Sequence, residues 1–415
     1  RITAISQGDD KMMTDVVGWR LDDVVRLIRG PENTVVKLQI LPGDSNPGET
    51  ESIIELTREQ IKLEESAAKS KIIETQREQE KFKIGVIDIP SFYRDFRALK
   101  SGDEEFTSTT SDVKRLLSNL EKDEIDALVI DLRNNGGGHL TEATALTGLF
   151  IDNGPVVQLR NANGRISRLD DPDPVPRSAY NGPLIVLVNR YSASASEIFA
   201  AAIQDYERGI VVGQQTYGKG TVQNLYALDQ YVRRNQDELG QLTLTIGKYY
   251  RVTGESTQNR GVIPDIELPS YIDIDNTGES SRDTALPWDK IKPSRYKKNQ
   301  PMEDSINQLK ELHRERRKTD PELIFLLKDI QETTLYRKQT TVSLNLNKRI
   351  NEREAREDRK EAIDKIRIKA DNNDAAQEEN ENLDINLNET AAIATDFVKL
   401  NNSNSKSNQM ASRSE

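Results

Sequence analysis

Apolar positions concentrate in the middle of the chain, between about Lys83 and Pro269. The runs "ALVIDL" (127–132), "LIVLVN" (184–189) and "GIVVG" (209–213) are continuous rather than alternating, the pattern of strands covered on both faces. Between them lie segments with helical spacing: "TTSDVKRLLSNLEKD" (109–123), "LTEATALTGLFI" (140–151) and "SASASEIFAAAIQDY" (192–206). Strands alternating with helices predict an α/β core with crossover connections over residues 83–270.

The flanks read differently. "RITAISQGDD" predicts a strand and turn, Arg20–Gly30 an amphipathic helix ended by glycine, and "TVVKLQILPGD" a strand, so residues 1–50 form a small αβ module. Glu55–Phe82 is almost all charged and polar helix formers without proline or glycine, which predicts a long exposed helix and makes residues 51–82 a helical linker. After Tyr271 a turn-rich stretch leads into Met302–Asp371, dense in Lys, Arg, Glu and Asp at helical spacing. Residues 271–415 are therefore expected to be a separate charged helical domain, with a short amphipathic helix at "ETAAIATDFVKL" (389–400) and a disordered end.

Composition narrows the chemistry. The 415 residues suggest two to four domains, and with 35% hydrophobic and 31% charged residues, part of the chain must be solvated. A net charge of −11 argues against nucleic-acid binding, which needs a basic surface. There is no cysteine, so a thiol nucleophile, a thiolate metal site and a disulfide are excluded. No apolar run approaches the roughly 20 residues of a membrane-spanning helix.

Only two histidines occur. His313, in "LKELHRERRK", is expected on a charged helix surface, and His139, after a glycine run, is either a base or an ordinary loop residue. Without cysteine or paired histidines a metal site would rest on carboxylates alone, and no spaced acidic loop is present, so no metal or other cofactor is expected.

Three segments carry candidate chemistry. In "YSASASEIF" (191–199), small residues between a buried strand and a helix allow a sharp turn that exposes a serine oxygen at a helix N-terminus, although serines also favour such positions simply as caps. "QTYGKGTVQ" (215–223) sets Lys219 between two glycines. It is either a flexible surface lysine or, if buried beside Ser194, an uncharged amine able to take the serine proton, because burial disfavours the charged form. "DLRNNGGGHL" (131–140) places Gly136, Gly137 and Gly138 after a buried strand, where backbone N–H groups could approach a substrate oxygen and, with Ala195, form an oxyanion hole. A phosphate loop is disfavoured by the lack of a GK[ST] ending or a GxGxxG pattern.

In this order "DLRNNGGG", "SASASEIFAAA", "GKGTVQ" and "KYYRVTGESTQNRGVIPDI" resemble the tail-specific (carboxy-terminal processing) serine peptidases. That resemblance implies a ClpP/crotonase-like peptidase core, Ser194 as nucleophile, Lys219 as its general base, and Gln223 orienting the lysine. Asp205 matches an acidic position that some members are thought to need, though a helix-surface or ion-pair role is equally open. "LDDVVRLIRGP" resembles the later half of a PDZ domain, so residues 1–50 are expected to be a partial PDZ module, with its carboxylate-binding loop upstream. The charged region after "ALPWDKI" resembles the long periplasmic members from Gram-negative bacteria. The implied partners are protein or peptide substrates with apolar C-termini and a membrane lipoprotein adaptor, and the implied location is the periplasm. Two other readings stay open: a peptide-binding scaffold with an inactive core, and a crotonase-like acyl-CoA enzyme.

Overall fold

The computed structural model describes residues 1–8, 12–19, 21–41, 51–59, 67–95, 106–172, 178–231, 239–341, 343–355 and 384–411. These form two compact units, Arg1–Ser66 and Ala67–Glu415.

In the first unit β1 (Ile2–Gln7), β2 (Thr14–Asp15), β3 (Val35–Ile40) and β4 (Ser52–Thr57) make an antiparallel sheet in the order β2-β1-β3-β4. Helix α1 (Leu21–Ile28) contributes Val24 to a small core with Ile5, Val16, Val36 and Leu38.

The second unit is built on a six-stranded sheet. Its strands are β5 (Lys69–Arg77), β6 (Glu80–Asp88), β7 (Ala127–Asp131), β10 (Leu184–Val188), β11 (Ile210–Gly213) and β14 (Ile266–Glu267), in the order β14-β11-β10-β7-β6-β5. All neighbours are parallel except the β5–β6 hairpin. Alternate residues of the central strands point to opposite layers. Leu128, Ile130, Val186 and Val211 meet α2 (Thr109–Lys122), α3 (Leu140–Gly148) and α4 (Ala195–Asp205) through Val113, Leu117, Leu146 and Phe199. Ala127, Val129, Ile185, Leu187 and Val212 face the other way, onto α5 (Glu303–Thr319) and α7 (Ile385–Ala411) through Leu309, Leu387, Ala391, Ala394 and Phe397. Each large apolar side chain sealed in this way contributes about 1.5–3 kcal/mol. A second, antiparallel sheet, β12-β13-β8-β9, joins β8 (Pro155–Asn161), β9 (Ile166–Asp170), β12 (Thr221–Ala227) and β13 (Gln241–Tyr250).

Three expectations fail here. The stretch expected to be a helical linker is strand: β4 completes the first sheet, and β5 and β6 form a hairpin that turns at Glu78 and Gln79, both with positive φ. β5 is the edge of the large sheet and most of its side chains are exposed. Charged residues suit such an edge because they discourage pairing with another chain, and their composition is the same as that of an exposed helix. The C-terminal helices do not stand apart from the core: α5 and α7 cover one face of the large sheet within the same compact unit. His313 is buried, 4% exposed, with Nδ1 2.7 Å from Glu389 Oε1 on α7. Arg316, on α5 like His313, binds Glu389 and Asp396 of α7, so the face that reads as solvated is a buried ion network. Residues 389–400 are helical as expected, within α7; helix α6 (Pro321–Arg337) follows α5. Beyond residue 400, where a disordered end is expected, α7 continues to Ala411, and residues 412–415 lie outside the described residues.

Candidate active site

The turn between β10 and α4 carries Ser192, Ser194 and Ser196, and the structure separates them. Ser192 and Ser196 are fully buried. Their hydroxyls donate to the carbonyls of Leu132 at 2.8 Å and Asn135 at 2.9 Å, tying this turn to the glycine loop. Ser194 is half-buried, with φ 57° and ψ −111°. A residue with a Cβ held there stores on the order of 1–3 kcal/mol of strain, at a sharp strand-to-helix turn that sets the Ser194 side chain at the positive end of α4.

The glycine loop packs directly on this turn. Gly137 has φ +102°, and a Cβ on it would stand 2.8 Å from both Ser194 Cβ and the Ala193 carbonyl oxygen. Only glycine permits this approach. Asn135, fully buried, holds the loop: its amide donates to the Ile89 carbonyl (2.8 Å), its Oδ1 accepts from Gly137 N–H (2.8 Å), and its own carbonyl accepts from Ala193 N–H (2.9 Å). Gly137 N–H is therefore already engaged and is not an oxyanion donor in this arrangement. Among the described residues the N–H groups of Gly136, Gly138 and Ala195 have no hydrogen-bond partner. Gly136 lines a cleft of about 670 Å³ together with Ala193, Lys219 and Gln223.

Lys219 is half-buried in the loop after β11, between Gly218 (φ +91°) and Gly220, whose N–H donates to Gln258 Oε1 at 2.8 Å. The residue that joins this loop to the serine turn is Glu197. It is completely buried. Its Oε2 accepts from Ser194 N–H at 2.8 Å and Lys219 N–H at 3.0 Å, and its Oε1 from Thr216 Oγ1 at 2.6 Å and Gly218 N–H at 2.7 Å. Burial pushes the Glu197 carboxyl up to about 7, against the pull of these four hydrogen bonds. The bonds are donated to both oxygens, so the geometry suits the ionised form. Tyr249, also fully buried, joins the same group, its hydroxyl 3.4 Å from Glu197 Oε2. Its hydroxyl donates to the Lys219 carbonyl and stands 3.2 Å from the Ser194 carbonyl. Arg190, 0% exposed, braces the lysine loop by donating to the Thr216 carbonyl and, through Nε, to the Thr277 carbonyl at 2.6 Å.

Other candidate residues fall in different places. Gln223, on β12, is exposed and lines the same cleft as Lys219, its amide 3.5 Å from Thr221 Oγ1. Asp205 is the last residue of α4, about 16 Å along the helix from Ser194 at 1.5 Å per residue. It is buried in an ion pair with Arg251, whose Nε lies 3.1 Å from both carboxylate oxygens. Burial raises the Asp205 carboxyl and Arg251 opposes this. His139 is the residue just before α3, its backbone N–H on the Phe92 carbonyl, and burial lowers its imidazole. Among the described residues no cluster of acidic or histidine side chains could hold a metal ion, and no helix is long and apolar enough to cross a membrane.

Sequence reasoning missed Glu197, Tyr249, Asn135 and Arg190. Glu197 did leave a signal. It stands three residues after Ser194, the spacing at which a glutamate reaches back to an N-cap backbone N–H, as it does here.

Residues 83–268 match peptidase family S41, and residues 272–399 match the C-terminal domain of tail specific protease. The chain is 42% identical over 97% of its length to the tail-specific protease of Haemophilus influenzae, of which it covers 56%. It is 30% identical over 64% of its length to carboxyl-terminal-processing peptidase 2 of Arabidopsis thaliana chloroplasts, of which it covers 46%. It thus spans about half the length of these relatives. Among solved structures, the photosystem II D1 C-terminal processing protease aligns at TM-score 0.43 and 23% identity, over 68% of this chain and 67% of that one, too distant to add to the assignment. With its glycine loop, serine turn and lysine loop inside the matched segment, the chain belongs to peptidase family S41.

Proposed function

We propose that the chain is the catalytic part of an ATP-independent serine endopeptidase of the C-terminal processing type, with Ser194 as nucleophile and Lys219 as general base. The observation that supports this reading is the joint anchoring of Ser194 and Lys219 on Glu197, beside a glycine loop in contact with Ser194 Cβ. In this mechanism Lys219 Nζ takes the Ser194 hydroxyl proton as Oγ bonds to the scissile carbonyl carbon. The resulting oxyanion is met by the N–H of Ala195 and those of Gly136 or Gly138. The C–N bond then breaks, the leaving amine takes the proton from Lys219, and an acyl ester remains on Ser194. Water, deprotonated by the same lysine, releases the acid and restores the serine. Gln223 orients the lysine from β12 once substrate fills the cleft.

Substrates are unfolded or loosely folded proteins selected by apolar C-terminal tails, and the setting is the periplasm, where a membrane lipoprotein can serve as adaptor. The first unit, read as part of a PDZ module, belongs to tail recognition. The test compares the chain with Ser194→Ala and Lys219→Ala on one unstructured protein ending in either an apolar or a charged tail. Each substitution should reduce cleavage at least 1,000-fold with the fold retained, the order expected from removing a nucleophile or its base. Cleavage by Lys219→Ala at the unsubstituted rate would remove the proposed base. Equal rates on the two tails would remove the tail preference.

A further inference from the structure

Arg133 connects the glycine loop to the C-terminal helix α7. It lies two residues after Asp131, the end of β7, and three before Gly136. Its guanidinium is shared between two carboxylates. Asp131 accepts from Nε at 3.0 and 3.1 Å and from Nη2 at 2.6 Å, while Asp384 accepts from Nη1 at 2.9 Å and Nη2 at 2.5 Å. Asp384 immediately precedes α7, and its Oδ1 also accepts from Leu387 N–H at 3.0 Å, so one carboxylate caps the helix and holds the arginine. Burial pushes the Asp384 carboxyl up, but the bond and charge of Arg133 leave it below the usual carboxylate range. Bidentate pairs of this kind fix orientation as well as adding energy.

The next residues carry this constraint to the serine turn. Asn134 N–H donates to Asn189 Oδ1 at 3.0 Å and the Asn189 amide donates back to Asn134 Oδ1 at 2.9 Å, while Asn135 accepts from Ala193 N–H and from the Ser196 hydroxyl. The path from α7 to Ser194 thus runs through the Asp384–Arg133 pair, along the chain from Arg133 to Asn135, and across the hydrogen bonds of Asn134 and Asn135 to the serine turn, with Asp384 the link supplied from outside the sheet.

We propose that Asp384 is a positioning residue for catalysis: through Arg133 it sets the glycine loop against Ser194, so the C-terminal helix is part of the catalytic apparatus as well as a cover for the sheet. This rests on the peptidase reading above. Asp384→Asn tests it in the full chain, because asparagine still caps a helix but cannot make the charged fork. We expect kcat on a quenched fluorescent peptide to fall roughly 10- to 100-fold, as small misplacements of reacting groups do, with KM unchanged within twofold. Labelling of Ser194 by a fluorophosphonate should slow in parallel, and Asp384→Glu should restore part of both rates.

Asn386→Ala is the control. It removes the bond from the Asn386 amide to the Pro269 carbonyl (3.1 Å) without touching Arg133, and it should lower the melting temperature while leaving kcat unchanged. The proposal is overturned if Asp384→Asn keeps kcat within twofold per folded molecule, or if Asn386→Ala loses as much kcat as Asp384→Asn. Peptide cleavage that survives Ser194→Ala would instead remove the peptidase reading itself.

Discussion

Ser194 and Lys219, twenty-five positions apart in the chain, donate their backbone N–H groups to the same oxygen of the buried Glu197 side chain, at 2.8 and 3.0 Å. The distance between the serine turn and the lysine loop is therefore set by one carboxylate, with the Tyr249 hydroxyl acting on the carbonyls of the same two residues.

Glu197→Gln should impair catalysis although Glu197 is placed behind the reacting atoms. An amide has one acceptor oxygen where the carboxylate has two, so either Ser194 and Lys219 or Thr216 and Gly218 lose their acceptor. Each buried donor left unpaired costs about 1–3 kcal/mol, and a loss of that size in alignment corresponds to roughly 10- to 100-fold in kcat. Steady-state kinetics on a peptide substrate, alongside circular dichroism to confirm folding, decides the matter. An unchanged kcat would mean that the shared acceptor is not what aligns the pair.

The same carboxyl gives a pH dependence of stability. Burial raises it from 4.5 to about 7 in the folded chain, so between those values the folded state holds a proton that the unfolded state has released. Stability from this group is then present in full below about 4.5, declines as pH rises toward about 7, and is level above it, a total of about 3 kcal/mol. Urea unfolding at steps from pH 4.5 to 8 should show this decline in the unsubstituted chain and not in Glu197→Gln. Parallel profiles for the two proteins would exclude Glu197 as the source.

Asp205 is predicted to act through Arg251. Removing one partner of a buried ion pair costs about 3–5 kcal/mol because the other charge is left unpaired. Arg251 follows β13 two residues after Tyr249, so its displacement would reach Ser194 and Lys219 through the Tyr249 hydroxyl. Asp205→Asn should therefore lose both stability and activity, and the double substitution Asp205→Asn with Arg251→Met should recover a large part of each. A double variant as inactive as the single one would instead give Asp205 a direct part in the chemistry.

The parallel core and its glycine, serine and lysine segments were legible because each has a local cause. Continuous apolar runs specify strands buried on both faces, and small residues at a strand end specify a sharp turn, whatever lies elsewhere in the chain. The edge strand Lys69–Arg77 was misread because an exposed charged strand has the composition of an exposed helix, and His313 because a charged segment looks the same whether water or a distant carboxylate satisfies it. Glu389 and Asp396 decide the second question from far along the chain. The sequence by itself determined the buried strands, the sharp serine turn and the lysine between two glycines, and what only the tertiary structure decided is which of three serines stays partly accessible, which glycine N–H is already taken, and that a buried glutamate and tyrosine hold the serine and lysine segments together. Those outcomes depend on long-range hydrogen bonds, whose partners no local pattern specifies.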